Sequence, residues 1–256
     1  MKDFWARQAR KHGFDVRAIN FDPLEEELEL HFTKDLIKRG ERVCDLGCGN
    51  GRTLLNLAQT NKDSRFYGVD FIQDFIDIAN TEKRKMNLSN VKFFLGNAKS
   101  EDVKSLFRIK LDKVITKRLL INLKGREKLT ALKNIHAILK PGGTYIMIEC
   151  FTQPLARVNR IRKNIGLEKI KVRAFNEYLK DSFLCQIQKF FTVEEKVDFE
   201  SLYYFTSRIY NAYLSKGQPD YFAEINKLAV GLSKIGLNRA IEGYSPQVMY
   251  ILKKRS

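Results

Sequence analysis

Residues 43–51 read Val43-Cys44-Asp45-Leu46-Gly47-Cys48-Gly49-Asn50-Gly51, a short apolar strand that runs straight into a turn with glycine at every second position. Glycine takes positive φ without penalty and lets a ligand come up against the main chain. Directly after the turn, Leu54, Leu55, Leu57 and Ala58 recur at helical spacing. The stretch therefore predicts a strand, a ligand-approaching turn and a helix N-terminus, where free N–H groups and the macrodipole favour an anionic group.

The next landmarks follow in order. A second apolar run, 65–69, ends in Asp70, about one βαβ unit downstream. An acid there can take both ribose hydroxyls of a nucleotide-like cofactor. A third strand is predicted at 91–95, closing in Gly96-Asn97-Ala98, and a fourth at 112–116. Pro141-Gly142-Gly143 punctuates the entry to a fifth, 144–149. Helical patterns separate all five, which predicts a doubly wound, mostly parallel α/β sheet. The glycine spacing is not that of nicotinamide dehydrogenases, because the third residue after Gly49 is Arg52.

The D-L-G-C-G-N-G run, the acid closing the second strand and L-K-P-G-G before the fifth make residues 40–150 resemble class I S-adenosylmethionine (SAM)-dependent methyltransferases. The resemblance implies a seven-stranded, Rossmann-like sheet whose last two strands form an antiparallel pair. It implies that Asp45, Gly47, Cys48, Gly49 and Gly51 carry the methionine part of the cofactor. Asp70, with Phe71 beside it, would bind the ribose, and Asn97 and Ala98 would flank the adenine. Asn97 stands where the family usually has Asp; it keeps an acceptor oxygen and loses the charge. Thr116, Lys117, Arg118 and Glu149, at the ends of the fourth and fifth strands, would face the cofactor sulfur.

Methyl transfer from a sulfonium is an in-line displacement, so the protein's main task is alignment. A hydroxyl acceptor also needs a proton acceptor. Glu149 is the preferred candidate, with His12 as a second and Arg118 as a holder of an anionic part of the acceptor. His136, on a helix, reads as a semi-buried structural histidine. The fourth strand ends in T-K-R-L-L-I-N-L, without the Asp/Asn-Pro-Pro-aromatic motif of base-amine methylation, Pro-Cys or a double-glutamate hairpin. The expected acceptor is therefore a small molecule, foremost an oxygen of a sugar, a surface-glycan precursor or a phosphorylated compound. The K-R-L-L-I-N-L run and the stretch Leu202-Tyr203-Tyr204-Phe205-Thr206-Ser207-Arg208 more loosely resemble methyltransferases of bacterial surface-polysaccharide pathways. Tyr203, Tyr204, Ser207 and Arg208 are the expected acceptor contacts.

The chain has 256 residues, 44% of them hydrophobic, enough for one large domain or a core with a cap. Its net charge of +16 fits a solvated surface, an anionic small substrate or, as the alternative function, RNA binding and modification. Basic residues are spread along the chain, denser at Arg157, Arg160, Arg162 and Lys163, without a basic tail or a nucleic-acid module. Cys44, Cys48, Cys150 and Cys185 show no metal spacing and read as buried free thiols. No metal site is expected. No segment has the length and apolarity of a signal or a membrane span, which predicts a cytoplasmic protein.

Residues 1–40 read as a helical arm or lid with Trp5 as a lid candidate, 41–152 as the cofactor-binding core, and 153–256 as remaining strands with a helical substrate cap at 153–185 and 198–244. Asp22-Pro23 is a helix start, with Glu25, Glu26 and Glu27 complementing its dipole. A helix–turn–helix is expected over 153–180 and a strand over 186–197. The oligomeric state is left open.

Overall fold

The computed structural model describes residues 1–217 and 220–255. Seven strands, β1 (Arg42–Leu46), β2 (Arg65–Asp70), β3 (Val91–Leu95), β4 (Leu111–Lys117), β5 (Leu139–Cys150), β6 (Phe191–Val197) and β7 (Gln247–Lys254), form one sheet in the order β3-β2-β1-β4-β5-β7-β6. β1 to β5 are parallel, and β7 lies antiparallel between β5 and β6. This is the α/β architecture expected of the glycine-turn motif. Alternation along the strands sorts side chains onto two apolar faces. Cys44, Val114, Tyr145 and Met147 pack on one, and Val43, Ile115, Ile146 and Ile148 on the other.

Helices cover both faces: α1 (Lys2–His12), α2 (Pro23–Lys34), α3 (Arg52–Thr60), α4 (Gln73–Lys85), α5 (Arg126–Ile138) and α6 (Thr152–Asn164). Asp22 caps α2 as predicted, accepting from the N–H of Leu24 at 3.0 Å and of Glu25 at 3.3 Å. After α6 come a short α7 (Leu184–Ile187) and, between β6 and β7, α8 (Ser201–Phe205), a π-helical stretch (Thr206–Asn211), α9 (Ala212–Leu214) and α10 (Glu224–Lys234). The last two strands are thus separated by a long helical insertion. Among the described residues no helix is long and apolar enough to cross a membrane, and no acid, His or Cys cluster could hold a metal ion.

Three local expectations differ. β5 begins at Leu139 and runs through Pro141-Gly142-Gly143, because Leu139 already pairs with Leu111 before the register shifts. The second helix expected before residue 180 does not form. That segment makes its backbone bonds to other elements: Glu177 N–H to Ile121 O at 2.7 Å and Leu179 N–H to Cys150 O at 2.9 Å. The strand expected from residue 186 starts at Phe191, since Leu184–Ile187 coil into α7. Of the four free cysteines, Cys185 is exposed, not buried.

Candidate functional site

Two cavities adjoin at the carboxyl ends of β1, β2 and β4. One, about 370 Å³, extends from Gly47, Cys48 and Gly49 past Lys117 and Arg118 to Tyr204 and Arg208. The other, about 610 Å³, is bordered by Asn97 and Ala98. Gly47, Asp70, Phe71 and Leu119 belong to both walls, so the spaces are neighbours across the glycine turn.

The turn is built as the sequence requires, with φ of +88° at Gly47, +53° at Gly49 and +78° at Gly51. The N–H groups of Gly47 and Cys48 both donate to Val69 O, at 2.7 and 3.0 Å. Asp70 fastens the turn to the next loop: Oδ2 accepts from Gly49 N–H and Oδ1 from Ile72 N–H, both at 2.9 Å. Burial pushes the Asp70 carboxyl up to about 6, against the pull of these N–H donors. Each oxygen keeps a free lone pair for a ribose hydroxyl. A Cβ on Gly49 would come within 2.6 Å of Ile19 Cγ2. Gly51 borders neither cavity; a Cβ there would meet the Phe93 ring at 2.8 Å and Ala79 at 2.9 Å. Its place is helix–strand packing, not the ligand contact expected of it. Asp45 also lies behind the cavity wall. Its Oδ1 is buried without a partner, and burial pushes its carboxyl up to about 7 while Lys117 opposes the shift.

Fully buried Glu29 from α2 anchors the end of β4. It takes Lys117 Nζ at 3.0 Å, the Arg118 guanidinium, and Gln247 Nε2 at 2.9 Å. Burial alone would raise the Glu29 pKa, but Arg118 and Lys117 prevail and hold it at about 2. Arg118 sits at φ +54°, an uncommon conformation for a non-glycine residue. Its N–H donates to Ile148 O at 2.8 Å and its O accepts from Asn122 Nδ2 at 2.6 Å, which fixes it at the cavity wall.

On the opposite wall, Arg208 projects from the π-helical stretch, a feature frequent at functional sites. It reaches Asp22 Oδ2 at 2.7 Å and Glu25 Oε1 at 2.9 Å, with its guanidinium 5.1 Å from the Tyr204 ring centre and 4.6 Å from that of Tyr221. Burial and then Asp22 push Glu25 up to about 7, with Arg208 opposing. Glu200, wholly buried yet at the cavity wall, is held by Ser245 and by Gln247 Nε2 at 3.2 Å.

Several expected site residues lie elsewhere. Glu149 is fully buried, and its carboxylate accepts from the N–H groups of Leu120 at 2.7 Å and Ile121 at 3.2 Å. It ties β5 to the turn after β4 and faces neither cavity. Tyr203 is buried with its hydroxyl donating to Asp22, and Ser207 is buried with its hydroxyl 3.4 Å from Tyr204 O. His12 ends α1 away from both cavities. Half-buried His136 bonds Arg255 O at 3.2 Å, as a structural histidine should. Cys48, Phe71, Asn97, Ala98, Lys117, Arg118, Tyr204 and Arg208 do lie along the cavity walls, as does Trp5. Reading Glu25 as helix electrostatics alone missed its place there, and Glu29 and Glu200 were missed altogether. Asp22, Glu25 and Glu29 share one face of α2 by their spacing, a signal present in the sequence.

The charged groups thus converge on the end of the sheet where open α/β folds bind ligands. (S)-Coclaurine N-methyltransferase of Thalictrum flavum subsp. glaucum is 33% identical over 102 residues, covering 40% of this chain and 27% of that protein. The chain spans from 22% to 64% of the length of eight of the curated relatives it matches. In fold it is similar to a coclaurine N-methyltransferase bound to N-methylheliamine and S-adenosylhomocysteine (TM-score 0.59, 18% identity, 91% of this chain and 72% of that one). It is similar too to the cyclase SpnF (TM-score 0.58, 17% identity, 90% and 81%). Residues 37–198 match the methyltransferase domain, well over half of the chain, and the protein belongs to that family.

Proposed function

We propose that this protein transfers the methyl group of SAM to a small-molecule acceptor, foremost an oxygen of a sugar, a surface-glycan precursor or a phosphorylated compound. The observation that carries the reading is the continuity of one cavity from the Gly47–Gly49 turn and Asp70 to the buried pocket of Arg118, Tyr204 and Arg208. The residues at the turn fit the cofactor: the glycines keep the main chain clear of side chains, and Asp70 at the cavity wall keeps free lone pairs. When bound, SAM supplies an electrophilic methyl group.

What this chain's residues add is alignment and proton handling. Glu29 fixes Lys117 and Arg118 at one wall, and Arg208 fixes Tyr204 and Glu25 at the other. Glu25, raised to about 7, replaces Glu149 as the candidate to take a hydroxyl proton. Carboxylates line the pocket at Asp22, Glu25, Asp70 and Glu200, which suits hydroxyl recognition. The test is formation of S-adenosylhomocysteine from labelled SAM over a panel of sugars, sugar phosphates and nucleotide sugars. Acceptor-dependent turnover that falls at least a hundredfold in Glu25→Gln supports the reading; transfer to RNA alone would overturn it.

A further inference from the structure

The cations along the cavity that extends from Gly47 to Arg208 divide into two kinds. Lys117 and Arg118 share Glu29 as an ion-pair partner, and Arg208 pairs with Asp22 and Glu25. Lys171 and Arg173 lie along the same cavity, yet among the described residues neither forms an ion pair with a carboxylate. Both belong to the segment between α6 and α7 that failed to become helix.

That segment is held from several sides. Asn159 of α6 clamps Ile170, its Oδ1 accepting from Ile170 N–H at 2.7 Å and its Nδ2 donating to Ile170 O at 3.0 Å. The Arg173 guanidinium rests against three rings, 4.9 Å from the centre of Phe21, 5.4 Å from Phe4 and 5.9 Å from Trp5. Asn176 N–H closes a turn onto Arg173 O at 2.9 Å, and Asn176 Nδ2 donates to Asn122 Oδ1 at 3.0 Å. A guanidinium steadied by ring faces loses little freedom when its fork engages an oxyanion. The Arg173 guanidinium is thus held at the cavity wall, and exposed Lys171, two residues before it, adds a second cation without an ion-pair partner among the described residues. Phosphate oxygens match that donor geometry in bidentate fashion.

We propose that Lys171 and Arg173 form a subsite for a phosphate or diphosphate group of the methyl acceptor, which leaves the acceptor's hydroxyl-bearing end among Glu25, Tyr204 and Arg208. This rests on the function proposed above and narrows its substrate class to phosphorylated or nucleotide-activated acceptors.

The test titrates inorganic pyrophosphate into the full chain by calorimetry, with and without S-adenosylhomocysteine. Three proteins are compared: wild type, a Lys171→Ala/Arg173→Ala double variant, and an Arg160→Ala/Lys163→Ala control that removes the same charge from the exposed side of α6. Pyrophosphate binding to wild type that weakens about tenfold or more in the double variant, but not in the control, supports the subsite, provided S-adenosylhomocysteine affinity is retained. Absence of pyrophosphate binding to wild type, or equal loss in the control, overturns it as general attraction to a basic surface. Loss of S-adenosylhomocysteine binding in the double variant overturns it in favour of a cofactor contact. Wild type that binds pyrophosphate through Arg173 but not S-adenosylhomocysteine contradicts the proposed function alone.

Discussion

Arg208, in the insertion between β6 and β7, donates to Glu25 on the first turn of α2 at 2.9 Å and so joins two segments that wall the cavity. The same guanidinium reaches Asp22, the residue that caps α2. Its side chain is only 13% exposed, so the pairing is made largely away from water. Removing one partner of such a pair leaves uncompensated buried charge, which costs about 3–5 kcal/mol. Arg208→Ala should therefore lower unfolding free energy by about 3 kcal/mol or more in a denaturant titration. A loss below about 1 kcal/mol, typical of surface pairs, would show that the pair does not hold the wall together.

Tyr203 and Tyr204 are neighbours with different expected roles. The Tyr203 hydroxyl donates to Asp22 from a fully buried position, whereas Tyr204 borders the cavity beneath Arg208. Tyr203→Phe should cost about 1–2 kcal/mol of stability and leave the KM for the acceptor unchanged. Tyr204→Ala should raise that KM. Steady-state kinetics beside thermal melts separates the two, and a KM effect from Tyr203→Phe would contradict the assignment.

Gly49 and Gly231 make a matched pair of substitutions. Gly49 has φ +53° with Ile19 Cγ2 in the way of a Cβ, while Gly231 lies within α10 with nothing inside 4 Å. Gly49→Ala should destabilise by about 1–2 kcal/mol and weaken S-adenosylhomocysteine binding, because the Ile19 segment must move. Gly231→Ala should stabilise by about 0.5–1 kcal/mol. Equal behaviour of the two in thermal melts and titrations would dismiss the close-approach argument.

The pH dependence follows from the buried acids. Folding raises the carboxyls of Glu25, Asp45 and Glu149 to about 7, chiefly through burial, from ordinary values of 4.5, 3.8 and 4.5. Between those limits the folded state holds more protons than the unfolded one, so stability falls as pH rises from about 4.5 to 7. Glu29, held at about 2, works in the opposite sense, but its contribution is complete above about 4.5. The ligand-free protein should melt several degrees higher at pH 5.5 than at pH 7.5, given about 2–4 °C per kcal/mol at this size. High salt is needed to screen the net charge of +16. Asp45→Asn should shallow the slope; a flat or rising melting temperature in the parent would count against these shifts.

Sequence periodicity and turn chemistry were enough for the five parallel strands, because strand, turn and helix repeat through residues 40–150 on local signals; the antiparallel pairing of the last two strands came from the family resemblance. The place of the glycine-turn cavity was legible for the same reason: Gly47, Gly49 and Asp70 border it through backbone geometry and position at a strand end. The far wall of that cavity was not, because it is assembled from α2, the segment before α7 and the insertion before β7, which meet only in the folded chain. Glu149 shows the limit well. Position at the end of β5 pointed to the cofactor, yet the carboxylate turns to the N–H groups of Leu120 and Ile121. Glu25 was visible as a helix-start acid, but the partner that brings it to the pocket wall lies 183 residues away.

The most direct test of the central claim is calorimetric titration of S-adenosylhomocysteine into wild type and Asp70→Asn, with NAD as a control. Loss of a charged acceptor costs about 1.5–3 kcal/mol, or roughly tenfold or more in affinity. The account predicts saturable binding to wild type, weakened to that degree in Asp70→Asn, and no response to NAD. No binding of S-adenosylhomocysteine, or binding of NAD in its place, would contradict it.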